Sequence, residues 1–511
     1  MKIQKYKKQT AKGKINVSAF YHHDYKLKVI VPTMVYNYLI DKIKEQPPFK
    51  GFKLDIAMYY LSLIISIPAA HKDKIYQYGY IPLDTEILKS KNYLYKQYFD
   101  YFFLEIQILE KKNYSTASHT CNRYRYNYKA IKSEGNECVD FSTFEITDKK
   151  FNEKLLEQDV CSDSFNSCPH LCKWFNDSLQ IDFGGVINKY QSAFCYNKYQ
   201  LYDKMNLVIS KAYNYWYSAL AIREKCFRTS RKPESDNRLH TNLTNMPSAF
   251  RPFVSYENET IVSLDIKNSQ PYFLILLLER FEDIRIGKIM KNIYGSIGIM
   301  LQKLQTITSS KAFQEEFSSL KETVLNGTFY EYLGQFFDIK PEKIVVDTKD
   351  PNKKNEIYEM SFYNSDFGKN IKQSFEGKRS LMKKLTLQIL YTPLAKPSKE
   401  YKIFKGNFPQ LCSCIELFKT HTKDKNAYKQ FPKLLQHIES NCVLDVITPV
   451  LAKQYPDMPL WTIHDSFCTT QQWFPMMEET INKAFYSYSG GIMPKLKPEY
   501  WSDEQNLANA A

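Results

Sequence analysis

Ile261-Val262-Ser263-Leu264-Asp265-Ile266-Lys267-Asn268-Ser269-Gln270-Pro271 opens as an apolar run and then delivers a carboxylate. That is the pattern of a buried strand with an acidic side chain near its end. Leu460-Trp461-Thr462-Ile463-His464-Asp465-Ser466-Phe467 has the same form, with Asp465 expected at the turn of a hairpin. Two carboxylates carried on buried strands repel one another unless they share cations. The usual arrangement is a pair of Mg²⁺ ions about 3.5–4 Å apart, stabilising the attacking and leaving oxygens of phosphoryl transfer. Mg²⁺ takes one or two protein carboxylates and leaves its other positions to phosphates and water.

A third segment lies between them. Arg379, Lys383, Leu387 and Tyr391 recur every fourth residue, which puts them along one face of a helix. Two cations at the N-terminal end, where the helix dipole is also positive, make a dock for a triphosphate. Leu387 and Tyr391 then offer apolar and aromatic surface where a sugar and base would lie. The competing reading is an amphipathic surface helix, since Arg and Lys four apart are common there.

Upstream stand Arg238-Leu239-His240-Thr241-Asn242-Leu243-Thr244-Asn245-Met246-Pro247 and Arg251-Pro252-Phe253. In this order and spacing, the segments over about residues 236–475 resemble the family A polymerase superfamily. That superfamily comprises DNA polymerase I-like enzymes of bacteria and phages and the single-subunit, phage-type RNA polymerases. Asp265 matches its first palm motif, Arg379-x3-Lys383-x7-Tyr391 its fingers helix, and His464-Asp465 its second palm motif. The resemblance implies an α/β right-hand fold, with an antiparallel palm sheet and mostly helical fingers and thumb. It implies a catalytic set of Asp265, Asp465, Lys383, Arg379 and His464. Two Mg ions would be held by Asp265, Ile266 and Asp465. Arg379, Lys383, Leu387, Tyr391 and Gln270 would bind the nucleoside triphosphate. Arg238, Asn242, Asn245 and Arg251 would contact nucleic acid.

The sequence also departs from that pattern. The step from Asp265 to Arg379 (379 − 265 = 114 residues) is long, with an apparent insertion and a polar loop at Asp347–Glu356. The step from Lys383 to Asp465 (465 − 383 = 82) is short. Ser466 stands where the DNA polymerases often carry a second acid, and His464-Asp465-Ser466-Phe467 is closer to the RNA polymerase branch. Five residues beyond Asp265, the DNA polymerases carry a Glu that blocks the ribose 2′-OH and the RNA polymerases a Gly. Here it is Gln270, nearly as bulky as Glu. That bulk and the Asn242–Pro247 segment favour DNA as product, whereas Leu387 and Ser466-Phe467 lean toward RNA.

Composition agrees with a polyanionic partner. Among 511 residues, Lys and Arg total 70 and Asp and Glu 55, a net charge of +15. A chain this basic usually meets nucleic acid or an anionic membrane surface. Its most apolar stretches, Leu54–Ala70 and Pro271–Leu278, are marginal or too short for a bilayer span, which needs about 20 apolar residues. No membrane association is expected. Eleven scattered Cys suit free thiols in a reducing cytoplasm. Cys161, Cys168, His170 and Cys172 offer a candidate zinc site; the competing reading is a loop with buried thiols, since Cys161 has no close companion. Asp84-Thr85-Glu86 has the form of an exonuclease D-x-E, but Pro82 precedes it and a helix N-cap at Asp84 accounts for it.

The expected organisation is a basic arm and α+β region at 1–75, a candidate winged-helix module at 76–135 and a helical thumb-like region at 136–235. The palm is expected at 236–285, the fingers with an insertion at 286–424, and the rest of the palm with a C-terminal tail at 425–511. Helices are expected over Met34–Lys44, Leu54–Ile67 and Tyr95–Leu109. A hairpin is expected from Tyr114–Thr120 and Asn122–Ala130, with Arg123 and Arg125 on it. The leading expectation is template-directed DNA synthesis by a monomer of a phage, plasmid or mobile element, working on a DNA primer–template (or RNA) with nucleoside triphosphates. The alternatives are a small RNA polymerase or primase, a template-independent nucleotidyltransferase, and a nucleic-acid-binding protein with an inactive palm.

Overall fold

A computed structural model describes residues 4–5, 18–19, 27–70, 80–113, 121–127, 129–131, 141–159, 162–194, 217–346, 354–364, 369–421 and 426–502. The chain divides into two compact units. One comprises Met1–Arg231, His240–Ile261 and Tyr500–Ala511, the other Lys232–Leu239 and Val262–Glu499.

In the first unit, β1 (Lys28–Pro32) pairs antiparallel with a strand at Phe141–Glu145. Between them run α1 (Leu54–Ala70), β2 (Ile81–Pro82), α2 (Thr85–Lys91), α3 (Tyr95–Asp100), β3 (Leu109–Lys112) and β4 (Arg123–Tyr126). The three short strands pair in the order β2-β4-β3. Asp84 caps α2 as expected, accepting from the backbone N–H groups of Glu86 at 2.8 Å and Ile87 at 3.4 Å. The aromatic residues here form core. Tyr98 packs its ring against Phe49, Phe52 and Tyr60, and Tyr126 donates to the Leu61 carbonyl at 2.7 Å.

Two expectations need correction. The helix expected to run to Leu109 ends at Glu105. Gln107 takes a positive φ of 52°, and Leu109, although in phase with the apolar face, is the first residue of β3. The strand paired with Arg123–Tyr126 is therefore Leu109–Lys112; Tyr114–Thr120 lies outside the described residues. Of the cysteine group, Cys161 lies outside them too. Cys168 and Cys172 are buried; Arg231 Nη1 donates to Cys168 Sγ at 3.5 Å and the Cys172 thiol donates to Ser164 O at 3.7 Å. Burial pushes the Cys172 thiol up to about 12. These contacts suit the buried-thiol reading.

The first unit closes with β5 (Leu179–Ile181) and β6 (Val254–Tyr256), antiparallel to one another. A two-residue turn, Glu257 and Asn258, both with positive φ, leads into β7 (Glu259–Ile266). Positive φ at both turn positions matches the right-handed strand twist. β7 enters the second unit at Val262.

In that unit α4 (Ser269–Arg280) follows directly and buries every residue from Ser269 to Leu278. A helix apolar all round belongs in a core, and each fully buried Leu or Phe contributes about 1.5–3 kcal/mol. Next come α5 (Lys311–Leu325), α6 (Phe329–Gly334) and three strands, β8 (Lys343–Val346), β9 (Lys354–Asn364) and β10 (Lys369–Glu376), paired antiparallel in sequence order. The polar loop expected at Asp347–Glu356 therefore overlaps an 11-residue strand at its end. Charged residues masked the period-2 pattern of Tyr358, Met360 and Phe362. At Gly377, with φ of +75°, the chain turns from β10 straight into α7 (Gly377–Tyr391); glycine adopts that backbone without steric cost. α8 (Gln430–Ser440) packs against α4 and α7. Finally β11 (Trp461–Ile463) and β12 (Ser466–Thr470) form a hairpin. β12 lies beside β7, and β13 (Leu496–Tyr500) pairs with β7 as well. The fold is thus mixed α/β with antiparallel sheets. Among the described residues, no helix is long and apolar enough to cross a membrane.

Candidate functional site

The second unit brings the two strand-end carboxylates together. Ile463 pairs with Ser466 across the hairpin, so His464 and Asp465 are the whole loop. His464 takes a left-handed φ of 56°, a region His tolerates better than most side chains. The backbone N–H of Ile266, next to Asp265, donates to Asp465 O at 3.4 Å. Ser466 Oγ donates to Asp265 Oδ1 at 2.5 Å. Ser466 thus serves the first carboxylate as a hydroxyl donor.

Both carboxyls sit well above the ordinary carboxylate range. For Asp265 the causes are burial and then the charge of Asp465, opposed by the Ser466 hydroxyl and Lys383. For Asp465 they are burial and then Glu439, opposed first by Arg238. Such a pair is short of positive charge. Its donors, two carboxylates and the adjoining Ile266 carbonyl, are hard oxygens that fit a divalent cation such as Mg²⁺. Among the described residues, no group of three or more His, Cys, Asp and Glu side chains is arranged to hold a metal; Mg²⁺ does not need one.

α7 contributes its cations to the same unit. Lys383 is exposed and close enough for its charge to act on Asp265. Arg379 is half-exposed and ion-paired with Glu331 of α6, its guanidinium 5.0 Å from the centre of the Tyr330 ring. The Tyr330 phenol is raised to about 12, first by burial; Arg379 opposes the rise, and Asp465 and Asp265 add to it. Tyr330 therefore stands in the field of both the arginine and the carboxylate pair. Leu387 is partly buried. Tyr391, at the end of α7, donates from its hydroxyl to Gln270 Oε1 at 3.4 Å. Gln270 and Tyr391, both expected at the nucleotide, are thus brought together.

Glu439 was not singled out from the sequence. It lies on α8 with only 1% of its surface exposed. Arg238 clasps it from both sides of its guanidinium, Nε to Oε1 at 2.7 Å and Nη2 to Oε2 at 2.8 Å. Ser269 Oγ and Gln270 Nε2 donate to Oε2 at 3.1 and 2.7 Å. A signal was available. Phe431, Leu435 and Glu439 are four apart, so the carboxylate falls on the helix face that buries Phe431, Leu434, Leu435 and Ile438.

The remaining expected contacts, Asn242, Asn245 and Arg251, belong to the first unit. The Asn242 amide is engaged with backbone, accepting from Arg228 N at 2.7 Å and donating to Cys226 O at 3.1 Å. Asn245 ends a one-turn helix, Asn242–Asn245, that starts with a Thr241–Thr244 capping box. The Arg251 guanidinium lies 5.5 Å from the Trp501 ring centre.

No protein-family model matches the sequence, and no curated protein matches it. Among solved structures, the chain is similar to the POL domain of Pol1 from M. smegmatis, in complex with DNA primer-template and dNTP. The identity is 9% and the TM-score 0.38, over 70% of this chain and 74% of that one.

Proposed function

We propose that the chain is a template-directed nucleotidyltransferase, a DNA polymerase that extends a primer with deoxynucleoside triphosphates. The observation that carries the reading is the convergence of Asp265 and Asp465, both raised by burial among like charges, in one unit with the cationic helix α7. In this reading Asp265, Asp465 and the Ile266 carbonyl hold two Mg²⁺ ions, which supply Lewis-acid stabilisation of the attacking and leaving oxygens.

The side chains have separate tasks. Arg379 and Lys383 bind the β- and γ-phosphates and offset charge that develops on the leaving pyrophosphate. Arg379 reaches the phosphates by exchanging Glu331, an exposed partner whose loss costs about 0–1 kcal/mol. Lys383 Nζ, in this reading, donates a hydrogen bond to the leaving oxygen. Leu387 and Tyr391 support base and sugar, with Gln270 beneath the sugar. Ser466 holds Asp265 in place, and His464 sets the turn that aims Asp465. The primer 3′-hydroxyl gives its proton to solvent and its oxygen bonds to the α-phosphorus, as the bond from that phosphorus to the β-phosphate oxygen breaks and pyrophosphate leaves. The architecture required is a right hand, with Asp265 and Asp465 on its palm and α7 in its fingers.

Primer extension tests this, with dNTPs against NTPs and with and without template. Template-dependent incorporation of dNTPs is the expected result. Incorporation without a template, or with ribonucleotides alone, would replace this reading with one of its alternatives, and no incorporation would end it.

A further inference from the structure

Glu439 accepts four hydrogen bonds in a place that is almost fully buried: two from Arg238, one from Ser269 and one from Gln270. An ionised carboxylate is an acceptor only, whereas the two ends of a glutamine amide differ. The Gln270 NH₂ is therefore the only end that can face Glu439. Turning the amide over would set its oxygen against a carboxylate oxygen now 2.7 Å from the nitrogen, and a buried polar clash of that kind is costly. With the nitrogen committed, Gln270 Oε1 faces Tyr391, whose hydroxyl donates to it at 3.4 Å. One side chain on α8 thus dictates which way an amide on α4 points toward α7. Arg238 makes the arrangement tolerable, because a buried carboxylate without a counter-charge would carry a large desolvation cost.

The direction of this amide has a chemical consequence. Gln270 could act on an incoming sugar by bulk, or by donating an N–H to a 2′-hydroxyl. A fixed amide with its nitrogen drawn to Glu439 and its oxygen turned to Tyr391 spends one of its two N–H groups and holds the other on the Glu439 side, which disfavours the second. We propose that Glu439 is a positioning residue for sugar selection, holding Gln270 in one orientation against Tyr391 so that its bulk excludes a ribose 2′-hydroxyl. This rests on the polymerase reading and names how its site chooses its substrate.

The test is the ratio of kcat/KM for a dNTP to that for the matching NTP, measured on a primed template with the full chain. Glu439→Gln can accept or donate at either position and no longer dictates the amide direction. It should lower the ratio about tenfold, the scale at which one lost contact alters discrimination. In a Gln270→Ala background, where there is no amide to orient, Glu439→Gln should lower it no further. Because Glu439→Gln leaves Arg238 without its anion, Glu439→Asp is the companion variant. It keeps the charge but withdraws it by one methylene, and should shift the ratio in the same direction. A purely structural role would lower incorporation of both sugars together and leave the ratio alone. An unchanged ratio in a folded variant, or the same shift in the Gln270→Ala background, overturns the inference while the polymerase reading stands. A wild-type chain that incorporates neither sugar overturns both.

Discussion

The second unit holds two carboxylate groupings with opposite electrostatic fates. Glu439 is met by a bidentate guanidinium and two further donors. Asp265 near the end of β7 and Asp465 in the loop of the adjoining hairpin come together, and burial and neighbouring acids hold both carboxyls high. The first grouping is complete within the protein; the second has a deficit of positive charge. The difference separates structure from chemistry: a neutralised cluster can orient its neighbours, and an uncompensated one can recruit a cation.

The largest expected effect tests the uncompensated pair. Asp265→Asn or Asp465→Asn should reduce nucleotide incorporation by about 10³-fold or more, the scale of losing a group that stabilises transition-state charge. Binding of a primer–template, followed by fluorescence anisotropy, should be retained. Near-wild-type incorporation by either variant would remove these residues from the chemistry.

Stability should respond in opposite directions at the two groupings. Glu439→Ala leaves the Arg238 cation partly buried without its partner, which should cost about 3–5 kcal/mol in denaturant unfolding. Asp265→Asn, by contrast, should stabilise the metal-free chain by about 1 kcal/mol at neutral pH. The sign follows from the raised carboxyl. Its folded form binds a proton more tightly than its unfolded form, so wild-type stability falls as pH rises through the interval between the two. An asparagine is neutral throughout. The advantage of the variant should therefore shrink as pH falls into the ordinary carboxylate range, and added Mg²⁺ should raise the wild-type Tm while leaving the variant's unchanged. A destabilised Asp265→Asn at neutral pH would show that the pair is already compensated.

The smallest effect concerns Arg379. Its partner Glu331 is exposed, and such pairs contribute about 0–1 kcal/mol. Glu331→Gln should lower the KM for the triphosphate about two- to threefold and leave kcat unchanged. A raised KM would mean that Glu331 helps to place the arginine.

The two groupings also differed in how far the sequence disclosed them. Asp265 and Asp465 stand after apolar runs, and Arg379, Lys383 and Tyr391 share a helix period, so local patterning marked each one. Glu439 is marked only by its phase on α8, and what makes it significant is distant in the chain: Arg238, Ser269 and Gln270 come from elsewhere. Tyr330 and Glu331 were hidden for the same reason. The strands β8 to β10 were obscured by abundant charge on their alternating positions, and the end of the helix before β3 by an apolar phase that continued past the break at Gln107. Periodicity reports which face is buried; it does not report which buried groups meet.

The hairpin that carries Asp465 leaves no slack. Its loop is His464-Asp465 alone, and Phe467 just beyond it is fully buried. One residue gained or lost in this loop must either be absorbed in the turn, which moves Asp465 away from Asp265, or slip the register, which turns each residue of β12 to the opposite face. In the second case Ser466 would leave Asp265, and Phe467 would be driven out of the core. Substitutions can accumulate on the outer side of this turn, but a change of length there would strike the site and the core together, so descendants of this chain should keep both the two-residue loop and the carboxylate at 465.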